Sequence, residues 1–125
     1  MKKLGINQMA REAYKTARSK GWQDGSTPSS ERVSSRLALI HSEVSEALEC
    51  VRYTAPGALK TPTYGGITLR YDPKLKPEGF MSELADIVIR VGDLAMEIGG
   101  NLEQAIREKN AFNKKRNWKH GGKRI

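Results

Sequence analysis

The sequence predicts an all-α protein, a four-helix bundle-type protomer with an irregular insertion between its second and third helices. Apolar residues recur at three- and four-residue intervals in four separate segments. Gly, Pro and cap-forming side chains punctuate the gaps between them. A single stretch, Ile67-Thr68-Leu69-Arg70-Tyr71, suits a β-hairpin strand, and it lies inside the insertion. At 125 residues, with 38% hydrophobic and 29% charged side chains, the chain reads as one domain, 1–125, with a modest core.

The first helix is expected from about Gly5 to Lys20, carried by Ile6, Met9, Ala10, Ala13, Tyr14 and Ala17, with Gly21 as its stop. Gly25-Ser26-Thr27-Pro28 marks a turn. A Ser or Thr there can cap the next helix, and Pro28 suits its first position. The second helix, about Ser29 to Tyr53, has Leu37, Ile40, Val44, Leu48 and Val51 as its apolar stripe. Residues 54–79 hold four prolines and four glycines and break the pattern, a length that in a compact domain usually serves function or motion. The third helix, about Phe80 to Ile98, is apolar around most of its circumference, which predicts a buried element. Gly99-Gly100 ends it. Asn101 caps a fourth helix, with Gln104 as its capping-box partner. The basic tail from Asn117 to Ile125 reads as irregular.

The start of the chain is basic but lacks the apolar run of a signal peptide, and no segment approaches the length of a membrane span. Cys50 is the single cysteine, which suits a reducing cytoplasm and rules out an internal disulfide. No membrane partner is expected. Net charge is +8, concentrated at the ends: six bases face two acids in residues 1–25, and eight face two in residues 101–125. Basic ends around an acidic centre suggest a polyanionic partner, nucleotide or nucleic acid.

Chemistry concentrates on two helices. Glu83, Asp86, Arg90, Asp93 and Glu97 are spaced 3, 4, 3 and 4, forming one narrow charged stripe. Glu43 and Glu46 form a second i, i+3 pair, in line with Cys50. Two such pairs can converge four carboxylates, an arrangement that requires a cation. Oxygen-only ligands select Mg²⁺, with Mn²⁺ as a substitute, over zinc. On the fourth helix Leu102, Ile106, Lys109, Asn113 and Arg116 share a face. Its apolar part should pack on the core, aiming the polar trio at phosphate oxygens from the same side.

These residues resemble the MazG-like family of all-helical nucleoside triphosphate pyrophosphohydrolases. Leu39 to Glu49 is similar to the family's ExxE helix. Lys76-Pro77-Glu78-Gly79-Phe80 leads into Glu83 to Val88, similar to its ExxD helix, and a basic segment with Lys109, Asn113, Arg116 and Lys119-His120-Gly121-Gly122-Lys123 follows. The resemblance implies that Glu43, Glu46, Glu83 and Asp86 bind Mg²⁺ and that Lys109, Asn113 and Arg116 contact a triphosphate. It implies hydrolysis between the α- and β-phosphates, and assembly as a homodimer or homotetramer. Many members carry a further Glu where this chain has Ser42, and Glu46 is then the expected water-activating carboxylate. Lys119, His120 and Lys123 are expected to help close a C-terminal segment over phosphate. Trp22 can stack on a base or close the bundle end, and Trp118 is open in the same way. His41 reads as structural, Glu49 as exposed, and Asp93 as a partner for a base such as Arg90. The rival readings are a small basic nucleic-acid-binding protein and a non-catalytic helical oligomer.

Overall fold

In the computed structural model, which describes residues 3–52 and 79–116, the four expected helices form and no strand occurs among the described residues. Helix α1 spans Ile6–Ser19, α2 Ser30–Arg52, α3 Phe80–Glu97 and α4 Leu102–Lys115. The insertion, its hairpin candidate at 67–71 and the tail from Asn117 lie outside the described residues.

The helix ends follow local chemistry. After α1, Gly21 adopts φ +83°, its amide donates to Arg18 O at 3.1 Å, and the Trp22 amide reaches back to Ala17 O at 3.0 Å. The same pair of bonds closes α3 through Gly99 (φ +75°) and Gly100. Both are Schellman turns, which need a left-handed residue that glycine supplies without steric cost. Ser29 caps α2, its hydroxyl accepting from the Arg32 amide at 3.2 Å. Pro28 therefore sits just outside the helix rather than in its first turn. Asn101 caps α4 by accepting from the Gln104 amide at 3.1 Å. Asn7 of α1 joins that cap, donating to Asn101 Oδ1 at 2.9 Å and accepting from the Glu103 amide at 3.1 Å. A polar clasp thus holds the start of α4 against α1.

Helix α3 is the central element, packed against α1 on one side and α2 on the other, while α4 rests on α1. Gly92 sets the α1–α3 approach. A Cβ there would lie 2.9 Å from Met9 Sδ and 3.1 Å from Ala10 Cα. The fully buried apolar side chains are small: Ala10, Ala13 and Ala47.

The expectation of an all-round buried third helix is corrected. Met81, Val88 and Ile89 of α3 are 43–52% exposed and Ile98 just beyond it 57%, whereas the Glu97 side chain is 2% exposed. Glu83, Arg90, Asp93 and Glu97 of the charged stripe turn toward the neighbouring helices, Asp86 is exposed, and part of the apolar circumference faces outward. Helix α2 is arranged likewise: Glu43 is buried while Leu37, Val44, Leu48 and Val51 are exposed. Periodicity located the stripes correctly. It did not say which stripe the packing covers, because each side chain on Arg32, Arg36 and Arg90 finds an acid across the interface.

Candidate metal centre and adjoining groove

The inner faces of α2 and α3 meet antiparallel as a ladder of charges. At one end Glu97 accepts from Arg32 Nε at 2.8 Å and from Arg36 Nε at 3.3 Å. In the middle Arg90 Nε donates to Glu43 Oε1 at 2.8 Å. At the far end Glu46 and Glu43 of α2 face Glu83 of α3, acid against acid. A carboxylate oxygen from each of these three lies within 4.8 Å of the other two.

Three features mark that last rung as electrostatically unfinished. The Glu46 carboxyl is pushed above its ordinary range, first by its hydrogen bond with Glu43 and that residue's charge, then by Glu83. Glu83 Oε2 is buried and has no hydrogen-bond partner among the described residues. Among the described residues Arg90 is the one base paired with this trio of carboxyl groups. The donor set is all oxygen and comes from two rigid helices, a fit for a hard divalent cation. Asp86, the fourth residue expected here, is exposed and falls outside the trio, although it lines the same groove as Glu43.

That groove encloses about 890 Å³ between α1, α2 and α3. Glu43, Asp86 and Arg90 line one part of it, and Trp22, Arg36 and Asp93 also contribute to its wall. Trp22 is 62% exposed, so it does not plug the bundle end. Its backbone is firmly held: the carbonyl accepts from Arg36 Nη2 at 2.8 Å and the amide donates to Ala17. The next residue, Gln23, is 6% exposed and donates through Nε2 to Asp93 Oδ1. Gln23 Oε1 is buried without a partner among the described residues. Burial raises the Asp93 carboxyl above its ordinary range, against the opposing pull of Gln23 and Arg36. The expected pairing of Asp93 with Arg90 does not form as a hydrogen bond, since Arg90 reaches Glu43 instead.

Lys109, Asn113 and Arg116 are exposed on and just beyond the second half of α4, outside the groove wall. Lys109 Nζ lies 6.0 Å from the Phe112 ring centroid. The structure therefore does not bring these three to the acidic rung within one protomer. Lys119, His120, Lys123 and Trp118 lie outside the described residues. His41 is exposed, and Glu49 is exposed and paired with Arg52 at 3.3 Å. The cross-helix partners Arg32, Arg36 and Arg90 and the Gln23–Asp93 pair went unassigned in the sequence. Their signal is the order of signs: Arg32, Arg36, Glu43 and Glu46 along α2 run base-base-acid-acid, and the α3 stripe run backwards from Glu97 reads acid-acid-base-acid-acid.

No family model, curated protein or solved structure matches this chain.

Proposed function

We propose that the protein is a Mg²⁺-dependent nucleoside triphosphate pyrophosphohydrolase of the MazG-like type, releasing a monophosphate and pyrophosphate. The observation that carries this is the Glu43–Glu46–Glu83 convergence, with a raised Glu46 and a buried Glu83 oxygen that has no partner among the described residues. An acidic trio alone specifies only a cation. The adjoining groove, large enough for a nucleotide, supports a ligand beside that cation.

In this reading Glu43, Glu46 and Glu83 hold Mg²⁺, Mn²⁺ substituting, with Asp86 recruited from the groove edge. Held there, Mg²⁺ would supply charge neutralisation for phosphate oxygens and a lowered pKa for water. Glu46 acts as the water-orienting base, its high proton affinity in the unliganded state being the property such a base requires. Arg90 fixes Glu43 by donating to its Oε1. Trp22 offers a stacking face for the base. Lys109, Asn113 and Arg116, with Lys119, His120 and Lys123 beyond them, serve the triphosphate, their position on α4 favouring a site completed by a second subunit.

Assembly as a dimer or tetramer belongs to the same proposal. No apolar side chain larger than Ala is fully buried among the described residues, while Leu37, Val44, Leu48 and Val88 are 48–55% exposed. Covering those stripes with a second copy buries the apolar area that a stable fold requires. No helix among the described residues is long and apolar enough to cross a membrane. The test is pyrophosphate release from a panel of nucleoside triphosphates with and without Mg²⁺. Glu46→Ala and Asp86→Ala should each abolish turnover with helicity retained; undiminished hydrolysis in either variant removes that residue from the site.

A further inference from the structure

Helix α1 carries chemistry on the side turned away from the groove. Met9, Ala13 and Thr16 line the groove. Arg11, Tyr14, Lys15, Arg18 and Ser19, with Met96 of α3, line a separate, smaller pocket of about 510 Å³. At about 3.6 residues per turn the two sets occupy opposite sides of the helix. The second pocket therefore stands apart from the acidic rung and its groove.

Arg11, Lys15 and Arg18 are spaced 4 and 3, which aligns three cations on one face. All three are exposed, and no acid lines their pocket. Arg32, Arg36, Arg52 and Arg90 are each bound to a carboxylate, whereas these three bases form no ion pair among the described residues. The acids closest in sequence are turned elsewhere: Glu12 lines the groove, and Asp24 is held by Ser26 and Arg32. Arg18 is also set in place. Its guanidinium lies over Gly25, where an added Cβ would come 2.5 Å from Nη2, so the bare backbone of that turn (φ +85°) makes room for it. Tyr14 is half-buried on the same face, three residues after Arg11 and four before Arg18.

Cations flanking an aromatic ring on an open surface fit phosphates and a flat base together. Three bases along about 10 Å of helix suit a run of phosphates better than a single one. A run of carboxylates would satisfy the bases and leave the ring unused. We propose that this face of α1 is a docking surface for single-stranded nucleic acid, with Arg11, Lys15 and Arg18 on phosphates and Tyr14 against a base. The surface is additional to the metal centre and does not depend on the hydrolytic reading.

The test is fluorescence anisotropy of a labelled oligothymidylate of about twelve nucleotides, titrated with the full chain in EDTA. Wild-type affinity should fall at least about tenfold between about 50 and 200 mM salt. Replacing Arg11, Lys15 and Arg18 together by Gln should reduce the slope of log affinity against log salt by about 2, the share of three phosphates. The combination of Arg107→Gln, Lys114→Gln and Lys115→Gln removes the same charge from α4 and should leave the slope close to wild type. Equal effects of the two variants would assign binding to diffuse net charge and overturn the proposal. So would absence of binding at about 50 mM salt. A poly-glutamate chain of similar length should displace the oligonucleotide poorly; displacement at equal charge concentration overturns the choice of nucleic acid. That wild-type comparison decides the matter even where a variant fails to fold. Binding by this face without hydrolysis of any triphosphate would sink the catalytic reading and leave the docking surface standing.

Discussion

At the scale of single residues, Glu46 and Glu97 show what an opposite charge is worth. Glu97, with a side chain 2% exposed, has two guanidinium partners. Replacing it with Ala leaves Arg32 with Asp24 and Ser26 and Arg36 with the Trp22 carbonyl as their remaining partners, and should lower stability in a urea unfolding titration by more than the loss of a surface pair does. Glu49→Ala, which removes an exposed i, i+3 pair, should cost under about 0.5 kcal/mol in the same experiment. A similar cost for both would mean that the Arg32–Arg36–Glu97 cluster does not hold α2 to α3. Glu46 is the opposite case. Its carboxyl titrates high because acids surround it, so its contribution to stability is present below the ordinary carboxylate range. That contribution is lost as pH rises through the raised value. A cation at the rung reverses the loss. Mg²⁺ should therefore raise the melting temperature more at about pH 8 than at about pH 5, and binding should release protons. An equal shift at both pH values contradicts the assignment. Asp24 moves the other way: its carboxylate, held by Ser26, titrates at about 2. The turn before α2 keeps that contact above the ordinary Asp range and loses it only as pH falls through about 2.

At the scale of elements, the pairing of α2 with α3 is governed by the order of signs rather than by apolar shape. Arg32 and Arg36 meet Glu97, Arg90 meets Glu43, and the register then forces Glu46 onto Glu83. The helices themselves were legible in the sequence, since caps and Schellman glycines are short-range signals read within a few residues. The facing of α3 was not legible. Its composition is apolar nearly all round, and a single helix carries no statement of which neighbour supplies its counter-charges. The Glu43, Glu46 and Glu83 convergence was anticipated from i, i+3 spacing; the displacement of Asp86 and of the Lys109–Asn113–Arg116 line depends on tertiary placement that spacing does not encode. The α1–α3 contact makes its own prediction. Gly92→Val places side-chain atoms where Met9 and the Ala10 backbone already lie, and should destabilise by about 1–3 kcal/mol in chemical denaturation. A neutral result would show that α1 can step back freely.

At the scale of the whole molecule, the protomer is polar within and apolar without along α2 and α3. Among the described residues the buried apolar side chains are alanines, while Leu37, Val44, Leu48, Val88 and Ile89 are exposed. This distribution is unfavourable for an isolated chain and favourable for an assembly. Sedimentation equilibrium should find a dimer or tetramer, and Leu48→Glu with Val88→Lys should shift it toward monomer with loss of stability. A wild-type protein that is monomeric and stable contradicts that proposal. The net charge of +8 favours approach of a polyanion, in keeping with the triphosphate substrate proposed above.

The most direct test of the central claim is pyrophosphate release by the purified chain, measured across nucleoside triphosphates as Mg²⁺ is titrated. The account predicts release that is absent without the ion, restored by it or by Mn²⁺, and lost in Glu46→Gln. Metal-independent release, or none from any nucleotide at saturating Mg²⁺, would contradict it.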